Sequence, residues 1–499
     1  MDFNTRYAKL NDNQQQAVDY IHGSLLVIAG PGTGKTELLS MRTAQILRQT
    51  DTLPNSILCL TFTESGATNM RQRLRQIIGE DAYKIAIHTF HSFGTEIINQ
   101  HREYFFRGAD AQPVDELTQY QIISGILEGL DWRNPLSTKN NGEFVYIKDL
   151  IRIISEFKQS GLTPSELRAI IEGNQSTIAE ITPDIQQVFS AKISKKTIEM
   201  FAPIAEKIAN LAAKNPDEKN SKLPASITPY ANVLALSIVH ATQEAIDENS
   251  TKPLTAWKNK WCEKNANGEF VLKDFAAAEK LSAAIDVYEK YVNILSERSL
   301  FDYDDMILSV IQACESHSEL RANLQEQFQF IMVDEFQDTN LAQLRLLFNL
   351  TSENDDNPNI MAVGDDDQAI FSFQGADVGN IQRFRQHYHD PKIIVLTDNY
   401  RSAENILSSA RDVITQGADR LENTIDGLSK QLTAHANSEG SKVEIQEFSS
   451  VSEERAGIAK QIAELIKNGE KPENITIIAR HHKELIEILP HLYKENLFV

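Results

Sequence analysis

Cysteine is scarce in this sequence, and long apolar runs are absent. Only three cysteines occur among the 499 residues, Cys59, Cys262 and Cys314, and no two of them form a CxxC pair. This spacing excludes a disulfide framework and gives no support to a zinc or iron–sulfur site. No apolar run approaches the roughly 20 residues that span a bilayer, and the first residues lack the basic-then-apolar layout of a signal peptide. We therefore expect a cytoplasmic protein with no membrane partner.

Positive charge is also in short supply. Lysine and arginine number 49 against 70 aspartate and glutamate residues, which gives a formal net charge of -21. A protein with this balance does not coat nucleic acid or an anionic membrane through its overall electrostatic field. A local groove that binds nucleic acid is still compatible with it. The length allows about three domains, and 41% hydrophobic with 24% charged residues is typical of a globular protein.

Six short apolar runs, each followed by polar residues, alternate with helical patterns in two separate parts of the chain. Continuous apolar runs of this length predict parallel strands that are buried on both faces of an α/β sheet. The runs cover residues 24–30, 56–63, 83–90, 328–335, 359–366 and 392–399. We therefore expect one doubly wound α/β domain built from residues 1–93 and 300–398.

Long amphipathic helical patterns fill residues 94–299 and predict a helical domain inserted into the sheet domain. After residue 400, apolar runs at 442–448 and 474–480 lie on either side of a helical pattern. These runs predict two strands of a second α/β domain over residues 399–499, fewer than such a sheet usually holds.

The segment AGPGTGKTELL follows the first apolar run and opens a helical pattern. Gly30, Gly32 and Gly34 let backbone N–H groups approach phosphate oxygens. Lys35 can reach the β- and γ-phosphates, and the Thr36 hydroxyl suits Mg²⁺. The segment therefore predicts a nucleotide phosphate loop.

The segment IMVDEFQDTN is an apolar run that ends in two adjacent acids. Asp334, at the predicted strand tip, can hold the Mg²⁺ shell, and Glu335 can orient and deprotonate the attacking water. Phosphoryl transfer chiefly needs positioning and charge compensation, and these two roles need two carboxylates. Together with the phosphate loop, the pair predicts nucleotide hydrolysis.

Seven motifs now resemble, in the family's order, those of the superfamily 1A helicases of the UvrD/Rep type. They are LNDNQQQAV (10–18), GPGTGKT (30–36), LTFTESGATNM (60–70), TFHSF (89–93), VDEFQDTN (333–340), VGDDDQAIFSFQGAD (363–377) and LTDNYRSAENIL (396–407). The resemblance implies a RecA-like P-loop NTPase domain 1A, an enlarged helical insertion 1B, and the beginning of a second RecA-like domain 2A.

The resemblance also implies an ATP-dependent DNA helicase that moves 3′ to 5′, with ATP and Mg²⁺ as cofactors. Its partners would be single-stranded or 3′-tailed duplex DNA and repair or recombination proteins. Residue by residue, it implies that Thr33 belongs to the phosphate loop, Gln14 reads the adenine edge and Tyr400 stacks on the base. Arg401 would contact the γ-phosphate, and Gln368 would sense it by hydrogen bonding.

On the DNA side the resemblance implies aromatic contacts to unstacked bases, which are sequence-tolerant and worth roughly 1–3 kcal/mol per base. Two phenylalanines spaced by one residue project to the same face of an extended segment. The implied DNA-binding residues are Thr61, Phe62, Thr63, Phe90, His91, Phe371 and Phe373.

The sequence departs from the family's pattern in three ways. The third motif has Phe371 to Gln374 where relatives commonly carry Tyr-Gly-Trp-Arg, and Glu37 stands where they often carry arginine. No segment resembles the family's motifs V and VI, which we interpret as a sequence that stops before them. A natural short protein that binds ATP without unwinding is the alternative interpretation.

Two further alternatives stay open at this point. The same motifs occur in the helicase subunit of AddA/RecB-like helicase–nucleases. A chain of this extent is also compatible with an ATP-dependent DNA-binding module that does not unwind.

Overall fold

The computed structural model describes most of the chain, which divides into two compact units. The described residues are 3–105, 111–189, 193–194, 198, 201, 203–207, 230–264, 268–273, 275–351, 358–371, 375–377, 379–389, 391–417, 420–425, 427–436 and 442–497. The large unit is Met1–Arg401 with Ile414–Ala436, and the small unit is Ser402–Val413 with Asn437–Val499.

A six-stranded sheet forms the centre of the large unit. Its strands are β1 (Leu25–Ala29), β2 (Ile57–Thr61), β3 (Ala86–Thr89), β4 (Phe330–Val333), β5 (Ile360–Gly364) and β6 (Lys392–Leu396). They lie in the order β6-β1-β5-β4-β2-β3, and every neighbouring pair is parallel. All six strands predicted for the sheet domain are therefore confirmed.

Two separate hydrophobic cores cover the two faces of this sheet. Successive side chains on a strand point to opposite faces. On β1, Leu26 and Ile28 pack into one core, whereas Leu25 and Val27 pack into the other. Burial on both faces is the reason that the strands read as continuous apolar runs.

Helices make up most of the remaining regular structure. Their bounds are Phe3–Tyr7, Asp12–Asp19, Lys35–Gln49, Glu64–Ile78, Phe90–Gln100, Glu116–Glu128, Ile147–Gln159, Pro164–Phe189, Tyr230–Asp247, Lys252–Trp261, Phe275–Glu297, Asp305–Ser316, Ser318–Gln327, Leu341–Leu350, Gly379–His387, Glu404–Ile414, Leu421–Thr424, Val451–Lys467 and His482–Lys494. In the part of the chain that is described, no helix is both long and apolar enough to cross a membrane.

Between β3 and β4 the chain is mainly helical and has cores of its own. One core gathers residues of the helices between Glu116 and Glu297, among them Ile123, Ile154 and Tyr288. A second core lies around Phe189 and Trp257. The predicted boundaries of the inserted domain, at 94 and 299, stay predictions.

Short strand pairs lie outside the main sheet. They are Gln112–Pro113 with Leu300–Phe301, Lys139–Asn140 with Glu143–Phe144, Cys262–Lys264 with Phe270–Leu272, and Asp398–Asn399 with Thr433–Ala434.

The small unit corrects part of the sequence analysis. Its helices Val451–Lys467 and His482–Lys494 pack around Ala459, Ile488 and Leu492. The predicted strands at 442–448 and 474–480 are wrong, because neither segment pairs with a strand among the described residues. An apolar pattern favours an extended backbone, but a strand also needs a hydrogen-bonded neighbour. Without one, Ile445 and Ile478 are 97% and 90% exposed.

Candidate functional site

The predicted site residues follow the carboxyl ends of the sheet strands. The phosphate loop follows β1, and the loops after β4 and β5 begin with Asp334 and Asp365. The segments after β2, β3 and β6 carry the remaining motifs. Gln14 is the exception, because it lies in helix Asp12–Asp19, before β1. Because parallel strands end at one edge, motifs far apart in sequence meet there, as ligand sites in open α/β sheets do.

The phosphate loop has the backbone that its glycines allow. Gly32 and Gly34 have φ angles of 70° and 85°, and Gly34 is the residue before helix Lys35–Gln49. The Thr33 hydroxyl donates to the Gly30 carbonyl at 2.8 Å, which closes the turn. The first N–H groups of a helix have no partners within it, so this end attracts anions.

Lys35 brings the ends of three central strands together. Its ammonium lies 2.6 Å from Glu335 Oε2 and 3.3 Å from Gln368 Oε1. Glu335 has a φ of 48°, a left-handed conformation that is uncommon outside glycine. Such strain is typical of residues held in place for function. The predicted catalytic residues Lys35, Glu335 and Gln368 are thus within one contact network.

Asp334 has the character of a cation ligand. Burial, followed by the nearby charge of Glu335, raises the pKa of Asp334 to about 6. A buried carboxylate with a raised pKa gains from a divalent cation, which favours its charged form. Thr36 lies half-buried in the first turn after the phosphate loop. The donor set of Asp334 carboxylate and Thr36 hydroxyl therefore fits Mg²⁺, a hard cation that prefers oxygen ligands.

Gln14 and Tyr400 lie beside the phosphate loop. Gln14 is buried, and its Nε2 donates to the Thr33 carbonyl at 2.9 Å. The carboxamide keeps a second N–H and a second acceptor lone pair for a base edge. Tyr400 is about half exposed and donates its backbone N–H to the Gly32 carbonyl at 3.0 Å.

Arg401 is exposed next to the same loop. A methyl group added at Gly32 would lie 2.8 Å from Arg401 Cβ and 2.6 Å from Asn399 Nδ2. The backbone of Arg401 is therefore close enough for its long side chain to reach a bound phosphate.

The predicted DNA side contains two aromatic pairs. The rings of Phe62 and Phe371 have centroids 4.8 Å apart, so the loops after β2 and β5 meet there. His91 stacks on the exposed Tyr303 with centroids 3.9 Å apart. Burial lowers the pKa of His91 to about 4, which keeps its ring neutral. Phe373 lies outside the described residues.

Two of the predicted DNA contacts, Phe90 and Thr61, lie buried in the structure. Phe90 is only 2% exposed and packs in the core, so it has no face to offer a base. Thr61 is also buried, and its hydroxyl donates to the Thr63 carbonyl at 2.9 Å. Thr61 is the last residue of β2, and Phe90 is the first residue of the helix that directly follows β3. Thr63 is exposed, and its hydroxyl caps the next helix by accepting from the Gly66 N–H at 3.0 Å.

Two models of known protein families match most of this chain. Residues 10–216 and 175–389 match the UvrD/REP helicase N-terminal domain, and residues 394–499 match the UvrD-like helicase C-terminal domain. The chain belongs to the UvrD/REP helicase family. The RecA-like α/β fold and the order of the motifs are those of this family.

Individual relatives within the UvrD/REP family are similar along nearly the whole chain. ATP-dependent DNA helicase PcrA of Staphylococcus epidermidis is 27% identical over 496 residues, covering 99% of this chain and 51% of the relative. PcrA of Staphylococcus aureus strain Mu50 is 26% identical over 488 residues, covering 98% and 50%. The chain therefore spans about half the length of these UvrD/REP helicases.

Several polar residues of this UvrD/REP site were missed by the sequence analysis. Gln337 donates to Glu335 at 3.0 Å and accepts from the Asp365 N–H at 3.0 Å, which joins the loops after β4 and β5. Asn399 donates to the Pro31 carbonyl at 2.5 Å. Asn11 forms a reciprocal capping box with Gln14, which its N-x-x-Q spacing could have revealed. The contacts of Gln337 with Asp365 and of Asn399 with Pro31 join distant segments and leave no local signal.

Glu37 proves to be paired rather than isolated. Arg6 lies 3.0 Å from Glu37 and Arg73 lies 3.2 Å from it. Positive charge is therefore present near position 37 although the arginine common in relatives is absent. The charge comes from two other helices of the same unit.

Proposed function

We propose that this chain carries the ATP-hydrolysing motor of a DNA helicase, moving 3′ to 5′ on single-stranded DNA. The observation that carries the proposal is the contact of Lys35 with both Glu335 and Gln368 at the carboxyl edge of the sheet. The phosphate-loop lysine thus contacts a carboxylate and an amide from the loops that follow β4 and β5. This arrangement is suited to transfer of a γ-phosphate.

Lys35 and Glu335 change partners when ATP binds. The γ-phosphate carries more negative charge than one carboxylate and attracts the ammonium group. Glu335 is then released to orient a water molecule and accept its proton. Thr36 and Asp334 would hold Mg²⁺, which neutralises charge on the β- and γ-phosphate oxygens. Arg401 adds a planar guanidinium to the same phosphate.

DNA movement is coupled to hydrolysis through the loop after β5. Gln368 contacts Lys35, and Phe371, three positions on, contacts Phe62. A shift of the loop on loss of the γ-phosphate therefore changes the aromatic pair that grips a base. Direction and unwinding rest on the resemblance to the family and on the activity named for PcrA.

The test is ATP hydrolysis by this chain with and without single-stranded DNA. We expect stimulation by DNA, and a loss of at least 100-fold in turnover for Lys35→Ala and Glu335→Gln, the scale of removing a general base. Lys84→Ala, which removes an exposed lysine paired with Asp81, is the matched control. Unchanged turnover in either site variant would refute the proposal.

A second assay separates the motor from a simple binding module. The chain is mixed with 3′-tailed and 5′-tailed duplexes, Mg²⁺ and ATP, and strand separation is followed. Separation of the 3′-tailed duplex alone supports the proposed direction. ATP-dependent binding without hydrolysis would favour the binding module instead.

A further inference from the structure

Three consecutive aspartates after β5 are held by cations from a distant segment. We call this segment, residues 420–425 and 427–435, the return strap. Lys430 Nζ lies 3.0 Å from Asp365, 2.6 Å from Asp366 and 2.7 Å from Asp367. The Arg420 guanidinium donates twice to Asp367, at 2.8 and 2.6 Å.

The lysine and two of the aspartates are buried, which makes their ion pairs important for the stability of the turn. Lys430 is only 8% exposed, and Asp365 and Asp366 are buried with it. Adjacent buried carboxylates repel one another, and each is costly to desolvate without a cation. The Lys430 ammonium lies among all three carboxylates, as a metal ion would. The strap therefore stabilises the turn in this conformation.

Asp365 connects Lys430 to Gln368 through hydrogen bonds. One carboxylate oxygen of Asp365 accepts from Lys430 at 3.0 Å, and the other accepts from Gln368 Nε2 at 2.8 Å. Gln368 Nε2 also donates to the Ala29 carbonyl at the longer distance of 3.3 Å. With its amide nitrogen held in this way, the Gln368 oxygen faces the Lys35 ammonium at 3.3 Å. A continuous polar path thus joins Lys430 to the phosphate-loop lysine.

The strap also contacts the phosphate loop and the segment after β6. A methyl group added at Gly30 would lie 2.8 Å from Leu432 Cδ2. Thr433–Ala434 pairs in parallel with Asp398–Asn399, immediately before Tyr400. The strap therefore contacts three segments at the nucleotide side of the sheet edge: the aspartate turn, the phosphate loop and the strand Asp398–Asn399.

We propose that Lys430 is a positioning residue for the γ-phosphate sensor: through Asp365 it orients Gln368 so that the site distinguishes ATP from ADP. This inference rests on the proposed function. It concerns the side-chain path from the strap to Gln368, whereas the hydrolysis test of the proposed function uses substitutions at Lys35 and Glu335.

The test measures the affinities of the whole chain for ADP and for the β,γ-imido analogue of ATP, both with Mg²⁺, by calorimetry. We expect Lys430→Met to lower the preference for the ATP analogue about tenfold, the scale of a lost hydrogen bond to a charged group. ADP affinity should stay near the unsubstituted value. Lys430→Arg should keep most of the preference, and the exposed Lys84→Met should keep all of it.

A double substitution tests whether Lys430 acts through Gln368. Gln368→Ala should lower the preference by itself, and Lys430→Met should add nothing in that background. Independent losses that multiply, or an unchanged preference in Lys430→Met, would overturn the inference and leave the proposed function standing. If the unsubstituted chain binds neither nucleotide, both fall.

Asp365→Asn provides a second route should Lys430→Met fail to fold. It replaces one acceptor oxygen by a donor amide and breaks the same path with little change of volume. Thermal unfolding identifies a folding failure in either variant. A folded Asp365→Asn protein with the full preference for the ATP analogue would also overturn the inference.

Discussion

Phe62 and Phe371 come from different loops, yet their rings are in contact. If this pair grips an unstacked base, Phe62→Ala should weaken binding of single-stranded DNA by about 1–3 kcal/mol. Fluorescence anisotropy of a labelled thymine oligonucleotide measures the change. Tyr83→Ala, which removes another exposed aromatic ring, serves as the control. Equal affinities for the unsubstituted chain and Phe62→Ala would remove Phe62 from the DNA site.

His91 gives a prediction about pH at the same scale. Its folded pKa, about 4, lies below the unfolded value of about 6.5, because burial disfavours the charged ring. The unfolded chain therefore binds the proton more readily. The stabilising contribution is complete above about pH 6.5 and is lost as the pH falls from there towards about 4.

His91→Gln should accordingly lose less stability on acidification. Between pH 7.5 and pH 5 we expect its free energy of unfolding to fall by about 2 kcal/mol less than that of the unsubstituted chain. Urea unfolding at several pH values measures this. His22→Gln, at an exposed histidine of the same unit, should follow the unsubstituted chain. A pH dependence unaltered by His91→Gln would show that the ring is not held neutral.

Among the structural elements, the phosphate loop depends on glycine for two separable reasons. Gly32 has a left-handed φ of 70°, and its added methyl group would also press on Asn399 and Arg401. Gly79 has a similar φ of 68°, but nothing lies within 4 Å of an added methyl group. Both Gly32→Ala and Gly79→Ala should lose roughly 1–3 kcal/mol of stability, because a positive φ strains the backbone of a residue with a side chain.

Only Gly32→Ala should also weaken ATP binding, since it alone displaces residues beside the phosphate loop. Calorimetric titration with Mg²⁺ and the ATP analogue, alongside thermal unfolding, compares the two variants. Equal nucleotide affinity in both would mean that the space at Gly32 has no role in phosphate binding.

Across the whole molecule, the two units have cores of very different size. The large unit buries dozens of apolar side chains, whereas the small unit buries Ala403, Leu407, Ala459, Ile488 and Leu492 among its described residues. Amide hydrogen exchange reports local opening, which is easiest where few apolar contacts are buried. We expect helix Val451–Lys467 to exchange at least tenfold faster than β1 and β5, measured by mass spectrometry. Equal protection in both units would contradict this expectation.

The sequence was most informative where function depends on local backbone. The phosphate loop, its strand and its helix are specified by neighbouring residues, and the apolar runs of the large unit located all six sheet strands. It was least informative where a side chain's environment comes from elsewhere. Phe90 was among the aromatics implied to contact DNA, but it packs into the core formed by the sheet and the helices of the large unit. The runs at 442–448 and 474–480 read as strands, but no paired neighbour is present among the described residues.

The turn VGDDDQ separates what the sequence predicts from what only the tertiary structure shows. By itself the sequence determined that a strand ends in consecutive acids and that a glutamine follows, because apolar burial and turn formation are local properties. Only the tertiary structure decided what neutralises those acids: Lys430 and Arg420, more than 50 positions away along the chain, reach them across the sheet edge. Charge neutralisation in a buried turn depends on distance in space, which residue spacing does not encode.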